Sequence, residues 1–520
     1  MANKSVFTSG VSSVRKASAK PDTVNKAGGS AFSMADEAAL AQYACTGTFN
    51  DTFYSTAEVQ LKETLALAQR VSPEFLAKTA IYAREKGFMK DMPAFLLAVL
   101  STRDVELFKK TFPKVIDNGK MLRNFVQMMR SGAVGRKSLG SAPKKAVRSW
   151  LQSRKETQLF RDSIGDKPSL ADVIKMVHPA PADKSREATY AYLLGKALTP
   201  EQAEALPALI SQWESFKKDP ASVEVPDVDF RMLSSLPLTE KQWKKIAENA
   251  KWMMTRMNLN TFERHGVFKD EKLTKLIADR LSSKDEVQRA QAFPYQLLAA
   301  YINASDSIPT SVRNALQQAM EHAVQNVPTY QGKVYVMIDV SGSMSSSVTG
   351  YRNGATSKVT CKDVAALVAS SVLRKNPEAE IILFHTEAWR EKLNPFDSVM
   401  TNAKHIMKTP GGGTDCSAPF KLLNKEKAKG DVVIMVSDNM SWMHGNYGLQ
   451  AEWDVFRSRN KDAKLICIDI QADSTTQAKS RKDTLNVGGF SDQVFEVINA
   501  FVEGKGTPTF WTDRINAVAL

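Results

Sequence analysis

A chain of 520 residues, 43% hydrophobic and 24% charged, is long enough to bury several cores, and this composition excludes a fibrous or wholly disordered protein. The net charge of +14 favours an anionic partner and is unevenly spread: residues 331–520 carry 23 Lys and Arg against 21 Asp and Glu, so residues 1–330 hold +12 of the surplus. No stretch approaches the roughly 20 apolar residues that cross a bilayer, Met1 to Ser30 lacks the apolar core of a secretion signal, and Cys45, Cys361, Cys416 and Cys467 match no zinc spacing, so a cytoplasmic protein without membrane attachment is expected.

Residues 1–27 carry Lys4, Arg15, Lys16, Lys20 and Lys26 among Ser, Gly, Ala and Thr. Such a segment cannot bury enough apolar surface to offset its ordering entropy, and a flexible basic arm is expected. From 28 to 327 helix follows helix. Ser72-Pro73-Glu74 begins one with a capping hydroxyl and Pro at the first helical position, and Gly87 ends it. Thr199-Pro200-Glu201-Gln202 and Thr239-Glu240-Lys241-Gln242 each fit a capping box. The run Met92 to Leu100 is apolar all round and belongs between neighbours. Trp243 and Trp252 fall on helices and read as core. Many modest helices with short polar breaks predict stacked pairs, an α-solenoid, although no strict sequence period is present.

After Pro328 the texture changes, and residues 328–520 form a second domain. Apolar strands (Val334–Ile338, Ile381–Phe384, Val432–Val436, Leu465–Ile470) alternate with helical stretches such as Lys362–Arg374 and Val494–Val502. That alternation predicts a doubly wound parallel sheet covered on both faces, with a ligand crevice at the carboxyl ends of its strands.

Three pieces converge on those ends: Asp339-Val340-Ser341-Gly342-Ser343, Gly411-Gly412-Gly413-Thr414-Asp415, and Ser437-Asp438. Carboxylates and hydroxyls at alternate positions suit a hard divalent cation, of which Mg²⁺ is the expected one. One Asp-x-Ser-x-Ser alone would be an ordinary Ser-rich turn; the ordered set is specific. It resembles the metal-ion-dependent adhesion site of von Willebrand factor A domains, with Asp339, Ser341, Ser343, Thr414 and Asp438 in the liganding roles. Asp415 reads as a brace for its loop. No nucleophile stands beside a base, and P-loop, nucleophile-elbow and H-E-x-x-H signatures are missing, so a non-enzymatic protein is expected, with metal-assisted phosphodiester hydrolysis the third-ranked reading.

In the helical part the densest basic stretch runs from Gly135 to Trp150 and contains Arg136, Lys137, Lys144 and Lys145. It mixes cations, hydroxyls and glycine, a surface able to grip phosphate oxygens or, equally, a solvated loop. A second stretch carries Lys155, Arg161 and Lys167 before Val177-His178-Pro179.

Nearly end to end, the chain resembles the Ro (TROVE-domain) RNA-binding proteins, a helical (HEAT-like) repeat ring joined to a C-terminal von Willebrand A domain. The match is carried by Gly28-Gly29 leading into Thr52-Phe53-Tyr54, by Gly135-Arg136-Lys137 through Trp150, by Leu170 to Pro179, by Ala292 to Leu298, by the three metal-site pieces and by Gly489-Phe490. The resemblance implies that single-stranded 3′ ends of misfolded or noncoding RNAs thread a basic central hole, and that a Y-type small RNA binds the outer surface. Arg136, Lys137, Arg161 and His178 are carried over as RNA-binding positions; Lys144, Lys145 and Lys167 join them on local charge. The implied protein is a monomeric ribonucleoprotein component of RNA quality control or decay, sometimes working with an exoribonuclease. The competing reading is a metal-dependent protein-interaction module on a helical scaffold.

Overall fold

The computed structural model describes residues 18–165, 167–290, 294–325, 327–351, 359–442, 448–489, 491, 494–505 and 507–520. Phe490, Ala292-Phe293 and residues 1–17 of the expected arm lie outside them.

Helices occupy the chain from Asp36–Thr46 to Thr310–Ala323, and their starts follow local chemistry. The Ser72 hydroxyl accepts the Phe75 N–H, opening helix Pro73–Glu85 with Pro at its first turn. Both halves of the capping box form at Thr199 and again at Thr239, opening Pro200–Ala205 and Glu240–Asn249. Helix Asp91–Arg103 buries every residue from Met92 to Ser101, because it is enclosed by Pro73–Glu85, Val105–Val115 and Gly119–Arg130. Trp243 and Trp252 are both buried, and the Trp252 indole N–H is satisfied by the Leu281 carbonyl.

The series begins and ends on the same partner. Helix Asp36–Thr46 packs on strand Thr484–Gly488 and on the last helix, Phe510–Asn516, while Thr310–Ala323 packs on Val399–Met407 and Pro294–Asn303 on Cys361–Lys375. Both ends of the helical series therefore rest on the C-terminal domain, and the path of packed elements closes on itself.

Among the described residues the strands in chain order are β1 Thr23–Val24, β2 Ser30–Ser33, β3 Val334–Asp339, β4 Glu380–Phe384, β5 Ala388–Glu391, β6 Val432–Ser437, β7 Lys464–Asp469, β8 Thr475–Thr476 and β9 Thr484–Gly488. The main sheet has the order β5-β4-β3-β6-β7-β9; β5 is antiparallel to β4 and every other pair is parallel. Alternation sorts its side chains: Tyr335, Met337, Val433 and Met435 pack with Phe420, Trp453 and Phe456, whereas Val336, Ile338, Ile434 and Val436 join an apolar core that continues into the helical part. From β3 the chain moves first to β4 and then back to β6 on the other side, so the strand order reverses between β3 and β6. This is the place where such sheets open a crevice.

The flexible arm expected over 1–27 needs correction from Asp22 onward. β1 pairs with β2, and β2 pairs with β8 in a second, three-stranded sheet. The Asn25 side chain donates to the Ser441 carbonyl at 2.7 Å and accepts the Ala27 and Gly29 N–H groups. Partners far along the chain supply what this polar segment lacks by itself. Among the described residues no helix is long and apolar enough to cross a membrane.

Gly29 has no room for a side chain: a Cβ there would lie 2.0 Å from the Ser441 carbonyl oxygen. Gly29→Ala is expected to lower stability by roughly 1–3 kcal/mol through overpacking, seen as a reduced urea midpoint, and to speed proteolysis within residues 18–33. An unchanged midpoint would show that this segment does not bear on the sheet domain.

Candidate functional site

Parallel pairing of β3 with β6 sets Ile338 opposite Val436, which brings Asp339 beside Ser437-Asp438. Asp339 is fully buried: one carboxylate oxygen accepts the Ser341 N–H at 2.8 Å and the other accepts the Ser437 hydroxyl at 2.7 Å. The Ser341 and Ser343 hydroxyls lie 3.2 Å apart. The glycine loop is held to the first piece by the Gly342 N–H donating to the Gly412 carbonyl at 2.8 Å. Gly412 sits against the His385 ring, where a Cβ would come within 2.9 Å of it. Thr414 is buried. Asp415 braces the loop, accepting the Ser417 N–H at 2.9 Å and the Lys421 ammonium at 2.7 Å.

Electrostatics single out the pair at the centre. Burial pushes the Asp339 carboxyl upward. Burial and then the charge of Asp339 push Asp438 up to about 7. One Asp438 oxygen accepts the Met440 N–H, while the other is buried with no hydrogen-bond partner. An orphaned carboxylate oxygen costs free energy unless a cation or donor meets it. Two buried carboxylates among three hydroxyl side chains make an all-oxygen donor set, which fits a hard divalent ion and disfavours zinc. Consistently, the described residues contain no cluster of three or more His, Cys, Asp or Glu able to hold a metal. The four cysteines are buried and free, with their thiols pushed up by burial.

The basic residues divide into places. Arg136 and Lys137 are exposed on the loop before helix Ser141–Ser153, whose first turn carries Lys144 and Lys145 and no acidic residue. The Arg136 guanidinium lies over Gly140, where φ is +74° and a Cβ would meet it at 2.8 Å. Arg136, Lys137, Lys144 and Lys145 thus lie within ten residues of one another around a helix N-terminus, a combination that favours anions. His178 is exposed at the left-handed C-cap of Leu170–Val177, and Arg148 of the Ser141–Ser153 helix donates twice to the Val177 carbonyl beside it. Lys167 is exposed at the opposite end of the Leu170–Val177 helix. Arg161 is engaged, its guanidinium 2.7 Å from the Asp227 carboxylate.

A further basic group has no counterpart in the sequence reading. Lys90 immediately precedes helix Asp91–Arg103 and Lys120 lies in the first turn of Gly119–Arg130, two helices that pack together. Burial, then the charges of Lys120 and Arg84, hold the Lys90 ammonium below its ordinary value. The signal for this pairing is tertiary, since the two lysines are thirty residues apart.

With this geometry the chain matches two family models in succession: the TROVE domain over residues 144–362 and the Ro60 vWA domain over residues 333–502. It belongs to the Ro (TROVE-domain) family. Among its relatives is the RNA-binding protein RO60 of Deinococcus radiodurans, 23% identical over 517 residues that span 92% of this chain and 95% of that protein. RNA-binding protein RO60 of Caenorhabditis elegans is 25% identical over 256 residues, 45% of this chain and 38% of that protein. The crystal structure of the Deinococcus radiodurans RO (RSR) protein superposes with a TM-score of 0.62 at 20% identity, covering 91% of this chain and all of that one. That likeness establishes the fold: helices followed by a von Willebrand A domain.

Asp438→Asn retains shape while removing the orphaned charge. The expected outcome is a thermal midpoint in EDTA equal to or above that of the wild type, together with loss of any Mg²⁺-dependent rise, measured by scanning calorimetry.

Proposed function

We propose that this chain is a non-enzymatic RNA-binding protein that holds single-stranded 3′ ends of noncoding or misfolded RNAs in a basic central hole. The carrying observation is the concentration of +12 of the net charge in residues 1–330, focused at the start of helix Ser141–Ser153 by Arg136, Lys137, Lys144 and Lys145. Closure of the helical series onto the C-terminal domain supports a ring around such a hole. His178, Lys167 and the Lys90–Lys120 pair extend the phosphate-binding surface in this reading, and Arg161 contributes only by leaving Asp227. A Y-type small RNA on the outer surface, an exoribonuclease as working partner, a role in RNA quality control or decay, a cytoplasmic location and a monomeric protein complete the proposal. Its relatives' names as RNA-binding proteins support the ligand class.

The second reading, a metal-dependent protein-interaction module, is favoured by the orphaned Asp438 oxygen. A divalent ion, Mg²⁺ in this proposal, held by Asp339, Ser341, Ser343, Thr414 and Asp438 would supply a Lewis-acidic position for a partner's oxygen. Both activities are compatible in one chain because they use different surfaces.

Filter binding with a single-stranded oligoribonucleotide tests the first reading. Affinity is expected to fall with salt by about 0.7 in log–log slope per neutralised phosphate, and replacing Lys144 and Lys145 by Ala is expected to flatten that slope by about 1.4. Arg161→Ala is expected to change it least. A circular RNA of the same sequence that binds as tightly as the linear one would overturn threading of a 3′ end.

A further inference from the structure

A cavity of about 400 Å³ opens at the seam where the first helix, the last helix and the edge strand β9 meet. Part of its lining comes from the beginning of the chain: Phe32 and Ser33 of β2, Met34, and the start of helix Asp36–Thr46 through Ala38. Another part comes from the end: Lys479 and Ser480 after β8, Leu485 and Asn486 of β9, and Trp511 of helix Phe510–Asn516. No residue of the metal site and none of the basic loop before Ser141–Ser153 takes part in it.

Two features of this lining ask for a ligand. Asn486 is 6% exposed, and its amide nitrogen donates at 2.9 Å to the Ala478 carbonyl and at 2.9 Å to the Ser480 hydroxyl. A backbone carbonyl can only accept, so the Ala478 contact fixes which end of the amide is nitrogen. The Asn486 carbonyl oxygen has no hydrogen-bond partner, and a buried acceptor left in that state costs free energy until a donor meets it. The second feature is the start of helix Asp36–Thr46. Ala35 at its N-cap has no side chain to cap it, and the first internal bond runs from the Ala39 N–H to the Ala35 carbonyl at 2.9 Å. The N–H groups of Asp36, Glu37 and Ala38 therefore have no acceptor among the described residues.

Charge around the cavity balances. Asp36 is paired with Arg70 at 2.8 Å, and Glu37 is matched in number by Lys479. Acids in the first turn already answer the helix dipole, so the free N–H groups suit neutral oxygens better than an anion. Between the polar features stand the buried apolar side chains of Phe32, Val71, Leu485 and Trp511. A sugar alone would leave those walls unmatched, and a hydrocarbon would leave Asn486 orphaned. A flat lactam, with a ring N–H beside a carbonyl, answers both, and a hydroxylated substituent supplies oxygens to the helix start. We infer that this cavity binds a small neutral lactam of nucleoside size, which donates its ring N–H to the Asn486 carbonyl oxygen and accepts from the N–H groups of residues 36–38. Its contacts belong to both ends of the chain, so occupancy clamps helix Asp36–Thr46 to β9. The site depends on neither the RNA reading nor the metal reading.

The test uses the full-length protein and uridine as the probe, followed by isothermal titration calorimetry and saturation-transfer NMR. Uridine is expected to bind saturably. Pyrimidin-2-one riboside, which has a bare ring nitrogen where uridine has its N–H, is expected to bind about tenfold more weakly. Uridine 5′-monophosphate is expected to bind no more tightly than uridine. These comparisons are made on the wild type and do not depend on any variant folding. Ala38→Trp fills the cavity from the first helical turn; it is expected to abolish uridine binding and to leave affinity for a single-stranded oligoribonucleotide unchanged. Hydrogen exchange of the amides in residues 35–40 and 484–488 is expected to slow about threefold or more at saturating uridine. No saturable binding, or binding that survives in Ala38→Trp, would overturn the site. Equal affinity for the two nucleosides would overturn the part given to Asn486, tighter binding of the monophosphate would overturn the neutral ligand class, and unchanged exchange would overturn the clamp.

Discussion

Everything in this molecule depends on the two-ended docking of the helical series onto one sheet domain. Helix Asp36–Thr46 is lodged between β9 and the final helix, and Thr310–Ala323 rests on Val399–Met407 at another side of the same domain. The apolar face of Val336, Ile338, Ile434 and Val436 belongs to one core with the helices, so separating the halves would expose a contiguous apolar surface to water. A helical array held at one end could flex along its length; held at both ends, its curvature and the placement of its basic residues are set by the domain that closes it.

That arrangement assigns the halves different electrostatic tasks. The C-terminal domain is almost charge-balanced, and its informative charges are two carboxylates kept away from water at the switch point of the sheet. The helical half carries the surplus of cations, and at the start of helix Ser141–Ser153, whose first turn holds no acidic residue, the backbone dipole adds to the field of Arg136, Lys137 and Lys144. A phosphate chain is attracted to the second surface and repelled by the first. Local charge therefore separates a surface that attracts polyanions from a site that attracts cations.

Much of this was legible because it rests on local chemistry. The apolar runs that became β3, β4, β6 and β7 end where a parallel sheet needs them to end, and the hydroxyls of Ser72, Thr199 and Thr239 satisfy N–H groups only three residues away. Four of the five candidate ligands lie at or just after the ends of β3 and β6 and so could be found without coordinates, as could Asp415 as a brace; the glycine loop with Thr414, expected at a strand end, instead joins helices Val399–Met407 and Ala418–Lys425. What could not be read depends on long-range partners. Arg161 looked like a free cation, yet Asp227 lies beside it. Lys90 and Lys120 become neighbours only when their helices pack. β1, β2 and β8 are two to four residues long and lack an alternating pattern, so their strand character comes entirely from pairing, and the expected floppy arm gives way to it from Asp22.

The pairing of β2 with β8 also orders events in time. Phe32 lies opposite Thr476, so β2 can find this partner only when more than four hundred further residues have been made. Until then the early helices have neither β9 nor the last helix to rest against, and their docking faces stay wet. Loop closure over so long a span adds only slowly to the entropic cost, so the delay is one of synthesis more than of search. The nascent helical half is thus an open arc until β8, β9 and helix Phe510–Asn516 have been made, and it becomes a closed path when they arrive.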